Sequence, residues 1–115
     1  MAEIDRVIHE PARLLIATIL ESVKEADFLF LLNATELTKG NLSTHLSKLE
    51  EAGYVEIEKA FRGKIPLTLA QMTPQGTKAL HDYRKVMAAM LKARPANRLL
   101  NLRALNQRAL RTPSA

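Results

Sequence analysis

A chain of 115 residues, 47% hydrophobic and 25% charged, has the size and balance of one soluble domain with a modest core. It contains no cysteine, which excludes disulfides, thiolate metal sites and cysteine nucleophiles and fits a reducing cytoplasm. The net charge of +5 is unevenly placed: residues 1–82 hold nine Lys and Arg against twelve Asp and Glu, a net of −3, whereas residues 83–115 hold eight and none, a net of +8.

No secretory signal is expected, because the first residues lack a long apolar run. Leu14 to Leu20 and Phe28 to Leu32 are too short to span a bilayer, so no membrane is expected as a partner.

Residues 3–9 carry Ile4, Val7 and Ile8 and read as a helical turn or an arm. Pro11 suits the first position of a helix, where its missing N–H is not needed. Leu14, Leu15, Ile19, Leu20 and Val23 extend that helix at helical spacing to about Lys24. Asp27 is a suitable N-cap for a short apolar helix from Phe28 to about Ala34. Thr35, Glu36 and Leu37 form a turn, and Thr38 caps the next helix.

That helix, Thr38 to about Ala52, has two unlike faces. Leu42, Leu46 and Leu49 recur at i, i+4 and i+7 on one stripe. Lys39, Gly40, Asn41, Ser43, Thr44, Ser47 and Lys48 fall off it and offer short polar groups and lysines. A solvated face would share this pattern. The absence of acids between Thr38 and Leu49 favours a polyanion instead, because carboxylates would repel phosphates. Such a helix suits the DNA major groove, which admits a helix and displays donors and acceptors. Asn41, Ser43 and Thr44 lie towards its N-terminus, where side chains reach base edges. Lys39 and Lys48 suit phosphates, and Gly40 permits a close backbone approach.

Gly53 fits the left-handed position that ends a helix. Tyr54 to Lys59 alternates as a strand, Arg62-Gly63-Lys64 marks a turn, and Ile65 to Met72 makes a second strand, with Pro66 tolerated near its start. The hairpin carries Lys59, Arg62 and Lys64. Thr73-Pro74 opens a helix that Leu80, Tyr83, Val86, Met87, Met90 and Leu91 continue to about Ala93, where Pro95 stops it. Leu99, Leu102, Leu105 and Ala109, interspersed with Arg98, Arg103, Arg108 and Arg111, then suggest a last helix or, equally, a segment disordered alone and ordered only against a partner. It would either wrap a dimer or supply the positive charge that residues 1–82 lack; a basic helix on a membrane surface fits less well.

The expected architecture is mainly α with a small β-hairpin: domain 1–93, followed by a basic 94–115 extension. Three motifs, GNLS.HL..LE..GYV at 40–55, F.GK.P.T at 61–68 and MTPQG at 72–76, together with P.R at 11–13, carry a resemblance. Over roughly residues 8–90 the chain resembles the winged helix-turn-helix transcriptional regulators, nearest to small stand-alone winged-helix domains related to the MarR and ArsR groups. The resemblance implies double-stranded DNA binding as a dimer. A homodimer on a palindromic duplex is expected, with the first helix and the 74–93 helix either forming its interface or merely closing a monomeric core. The resemblance places the 38–52 helix in the major groove and the 59–66 wing on the backbone or minor groove. Metal sensing of the ArsR type is not carried over, since its cysteines are missing.

No catalytic residue, metal or cofactor is expected. The chain lacks GxSxG, P-loop and His-Glu-x-x-His patterns. His9 and His81 are isolated, and His45, flanking the leucine stripe, reads as a half-buried packing or hydrogen-bonding residue rather than a metal ligand. No small-molecule effector can be named. The rival to DNA binding is a winged helix used as a protein-interaction module, supported by the −3 charge of residues 1–82.

Overall fold

The computed structural model describes residues 3–92. Helix α1 (Pro11–Val23), strand β1 (Glu25–Asp27), helices α2 (Phe28–Thr35) and α3 (Lys39–Glu51), strands β2 (Val55–Arg62) and β3 (Ile65–Met72) and helix α4 (Pro74–Lys92) follow in order. The basic 94–115 extension, with its expected helix and arginines, lies outside the described residues.

Each helix starts on a side chain that accepts from an otherwise unpaired amide of its first turn. The Glu10 carboxylate accepts from the Arg13 N–H at 2.8 Å, Asp27 from Phe30 at 2.8 Å, Thr38 from Asn41 at 3.1 Å and Thr73 from Gly76 at 3.0 Å. Asp27, Thr38 and Thr73 are the expected caps. Glu10 is an addition, holding the turn in front of Pro11. Helices α1 and α2 end on positive-φ residues that are not glycine, Lys24 at φ 72° and Glu36, in the left-handed conformation, at φ 58°.

The core draws on every element. Ile8, Ile16, Leu20, Leu31, Leu42, Leu49, Val55 and Leu80 are its largest fully enclosed side chains. Each contributes about 1.5–3 kcal/mol relative to exposure. Ala26 and Ala70 face each other across β1 and β3 in the same core.

The sheet has three antiparallel strands in the order β1-β3-β2, one more than the expected hairpin. Glu25-Ala26-Asp27 is too short for its alternation to register as a strand; it forms by pairing with Gln71, Ala70 and Leu69. The hairpin register runs from Val55↔Met72 to Arg62↔Ile65. β2 therefore begins one residue later and extends three residues further than expected, and Arg62 belongs to the strand. Only Gly63 and Lys64 turn, with a positive φ of 64° at Gly63, as a type II′ hairpin requires of its first central residue. Pro66 lies beyond the stretch that β1 covers, where β3 is half of a two-stranded ribbon.

Candidate nucleic-acid interface

Helix α3, the wing and α4 meet at one junction. Gly53 ends α3 at φ 80°, and the Tyr54 amide donates back to the Leu49 carbonyl at 3.0 Å. Thr73 ties this turn to the start of α4. Its hydroxyl donates to the Gly53 carbonyl at 2.6 Å, and its amide donates to the Tyr54 carbonyl at 3.0 Å. The first turn of α4 then lies directly on that backbone: a β-carbon built on Gly76 would sit 2.1 Å from the Tyr54 carbonyl oxygen. The motifs around residues 53–55 and 72–76 are therefore the two halves of one clasp. Only glycine at position 76 allows it to close.

Leu42, Leu46 and Leu49 are buried under α3, as their spacing predicts. Thr38, Lys39, Gly40, Asn41, Ser43, Thr44, Ser47 and Lys48 are all exposed. Gly40, Thr44, Ser47 and Glu51 recur at i, i+4, i+7 and i+11, which makes them the ridge farthest from the leucines. The helix is polarised along its length. Its N-terminal half has free amides and Lys39 but no acid, whereas Glu50 at its far end lies near Glu56 and Glu58 of β2. An anion is therefore favoured at the N-terminal half, where the helix dipole adds to the lysine. Nothing lies within 4 Å of a β-carbon built on Gly40, so the fold places no steric demand for glycine there.

Lys59, Arg62 and Lys64 are exposed on the wing, but they do not form one free cluster. The Lys59 ammonium donates across the hairpin to the Thr68 hydroxyl at 3.2 Å. The Arg62 guanidinium lies 3.7 Å from the Asp27 carboxylate. Lys64 sits in the turn itself. Sequence reasoning left out Phe61 and Ile65, two apolar side chains exposed beside this turn. The signal for them was present in an acid-free run from Lys59 to Met72.

Behind α3, residues 5–13 lock its inner flank. Arg13 donates through Nε to the Val7 carbonyl at 2.6 Å and through Nη1 to His45 Nδ1 at 3.1 Å. His45 Nδ1 also lies 3.6 Å from the Glu10 carboxylate. This is the half-buried hydrogen-bonding role expected of His45. Burial opposes ionisation of Glu10, but the Arg13 and Ala12 amides and the nearby His45 and Arg13 outweigh it. They hold its carboxyl below the usual range. Tyr54 donates to Asp5; burial and that carboxylate push the Tyr54 phenol up to about 12. The Tyr83 hydroxyl and His9 Nδ1 share a 2.8 Å hydrogen bond that joins the same arm to α4.

Among the described residues no group of three or more His, Asp or Glu side chains could hold a metal, and no helix is long and apolar enough to cross a membrane.

A helix-turn-helix whose second helix presents an acid-poor polar face, followed by a β-hairpin, defines a winged helix-turn-helix protein. Residues 12–91 match the winged helix DNA-binding domain family, and the chain belongs to that family. It is 33% identical over 79 residues to an uncharacterized protein of Methanocaldococcus jannaschii, covering 68% of this chain and 85% of that one. A transcriptional regulator homologue from Pyrococcus horikoshii OT3 superposes with a TM-score of 0.72 at 26% identity, over 76% of this chain and 87% of the other. A regulator of the MarR family from Enterococcus faecalis V583 shares the fold, with a TM-score of 0.64 at 20% identity, over 82% and 84% of the two chains. The chain is accordingly a winged-helix DNA-binding domain.

Proposed function

We propose that the protein binds duplex DNA as a homodimer on a roughly palindromic site, with α3 in the major groove and the wing along the backbone or minor groove. The observation that carries this reading is the α3 face: eight polar or small residues, all exposed, opposite three buried leucines. Asn41 suits bidentate pairing with adenine; Ser43, Thr44 and Ser47 suit less discriminating contacts. Lys39, Lys48, Lys59, Arg62 and Lys64 suit phosphates, with Arg62 exchanging Asp27 for DNA.

The dimer reading rests on apolar surface left uncovered on α1 and α4. Leu15, Ile19 and Val23 form an i, i+4, i+8 stripe on α1; Leu15 and Val23 stay exposed, as do Met90 and Leu91 at the end of α4. Two copies would set their α3 helices about 34–36 Å apart, one helical turn of DNA.

Selection from a randomised duplex pool, followed by fluorescence anisotropy across a salt series, tests the reading. A recovered inverted repeat, bound with a stoichiometry of two chains and a steep salt slope, supports it. Binding to no duplex at low salt, with partner proteins retained by the same face, would favour the interaction-module reading.

A further inference from the structure

The end of the wing carries chemistry that phosphate contacts do not explain. Phe61 is 71% exposed, the most exposed large apolar side chain among the described residues, and Ile65 is 64% exposed. They occupy the last two rungs of the hairpin, where Phe61 faces Pro66 and Arg62 faces Ile65, immediately before the Gly63-Lys64 turn. Alternation places Phe61 on the face of Val55 and Ile57, which are buried and half-buried, but Lys59 between them and Phe61 is already exposed. The core therefore ends before the tip, and the ring is not part of it. An exposed apolar hairpin end is otherwise an aggregation hazard.

The surroundings favour a polyanion. Lys59, Arg62 and Lys64 are the only charged residues from Lys59 to Met72. A two-residue turn is the narrowest end a hairpin can present, and the DNA minor groove is about 6 Å wide. Apolar side chains flanked by arginine and lysine are the combination with which proteins enter that groove, unstack a base step and bend the duplex.

We propose that Phe61 is an apolar wedge that enters the minor groove beside the major groove occupied by α3, with Ile65 packing on the opposite sugar wall and Arg62 and Lys64 on the flanking phosphates. This rests on the DNA-binding reading above and extends it: the wing shapes the duplex, so flexible pyrimidine–purine steps under it are preferred even without hydrogen bonds to their bases.

The chain has no tryptophan, so Phe61→Trp places a single reporter at the tip. On titration with the selected duplex its emission should be quenched. Phe61→Ala should melt like the wild type, because the ring is exposed. Its affinity should fall about tenfold, of the order of one lost aromatic–base contact, and the bend measured by energy transfer between duplex ends should shrink. Its salt slope should stay unchanged, whereas Arg62→Ala should lower the slope by about 0.9. If the wild type binds duplex while Phe61→Ala binds and bends it equally and the Phe61→Trp emission does not respond, the wedge is refuted and the DNA-binding reading stands. If the reporter responds to anionic vesicles and not to duplex, the tip contacts membranes and the wedge is overturned. If the wild type itself binds no duplex, both readings fall together.

Discussion

Helix α3 and the wing expose opposite chemistries. The helix buries three leucines and turns small polar groups outward, so its exposed face follows from folding an amphipathic helix onto a core. The hairpin end turns Phe61 and Ile65 outward although nothing in the core lies beneath them. Folding explains why the face of α3 is polar; it does not explain why the wing tip is apolar. The two also differ in attachment. α3 is fixed at its end by the Gly53–Thr73–Gly76 clasp and along its flank by Arg13 and His45, whereas the tip is held by one ribbon and a weak contact to Asp27.

The largest effect should come from breaking what holds the two in one frame. Gly76→Ala drives a β-carbon into the Tyr54 carbonyl, which neither the α4 backbone nor the strand can easily yield. Chemical denaturation should show a loss of about 3 kcal/mol or more. A loss under about 0.5 kcal/mol would mean that the clasp is not closed in solution.

Next is the helix face alone. Asn41→Ala should remove about 1–3 kcal/mol of discrimination at one base pair while leaving the salt slope unchanged. Lys39→Ala should weaken all sequences alike and lower that slope by about 0.9. Anisotropy on matched and single-mismatch duplexes separates the two.

Smaller again is the support behind α3. Glu10→Ala removes the α1 cap and should cost about 1 kcal/mol at neutral pH. The Glu10 carboxyl ionises below its ordinary 4.5 in the folded chain. Its contribution is therefore complete above that value and lost as pH falls through the folded one. The variant and the wild type should converge in acid; thermal melts at several pH values check this.

The smallest effect has opposite signs in the free and bound chain. Gly40→Ala should raise the stability of the free protein by up to about 1 kcal/mol, since nothing lies where the methyl would go. On DNA the same methyl sits on the outermost ridge of α3 and should weaken binding. Equal or tighter binding would remove Gly40 from the interface.

Much of this frame was legible because it depends on local patterns. Leucines at 42, 46 and 49, the caps Asp27, Thr38 and Thr73 and the glycines ending α3 and turning the wing each carry their own geometric reason. What was not legible depends on residues far apart in the chain. β1 exists only because β3 pairs with it, the Arg13 side chain gains its role through His45, and Gly76 is understood only once Tyr54 lies against it. The wing cations were readable as exposed charges, but their engagement by Thr68 and Asp27 was not, since both partners lie on other strands. Phe61 was passed over because it fell between the expected strand end at Lys59 and the turn at Arg62; the register carries β2 past it, and its exposure shows that the core stops short of it.

A titration of the labelled full chain with its selected duplex, followed by amide chemical shifts, would test the proposed interface in one experiment. Perturbations should concentrate at residues 38–48 and 59–66 and spare the acidic stretch of Glu50, Glu51, Glu56 and Glu58. Binding that leaves 38–48 unperturbed while shifting the acidic stretch or the exposed apolar stripe of α1 would contradict it.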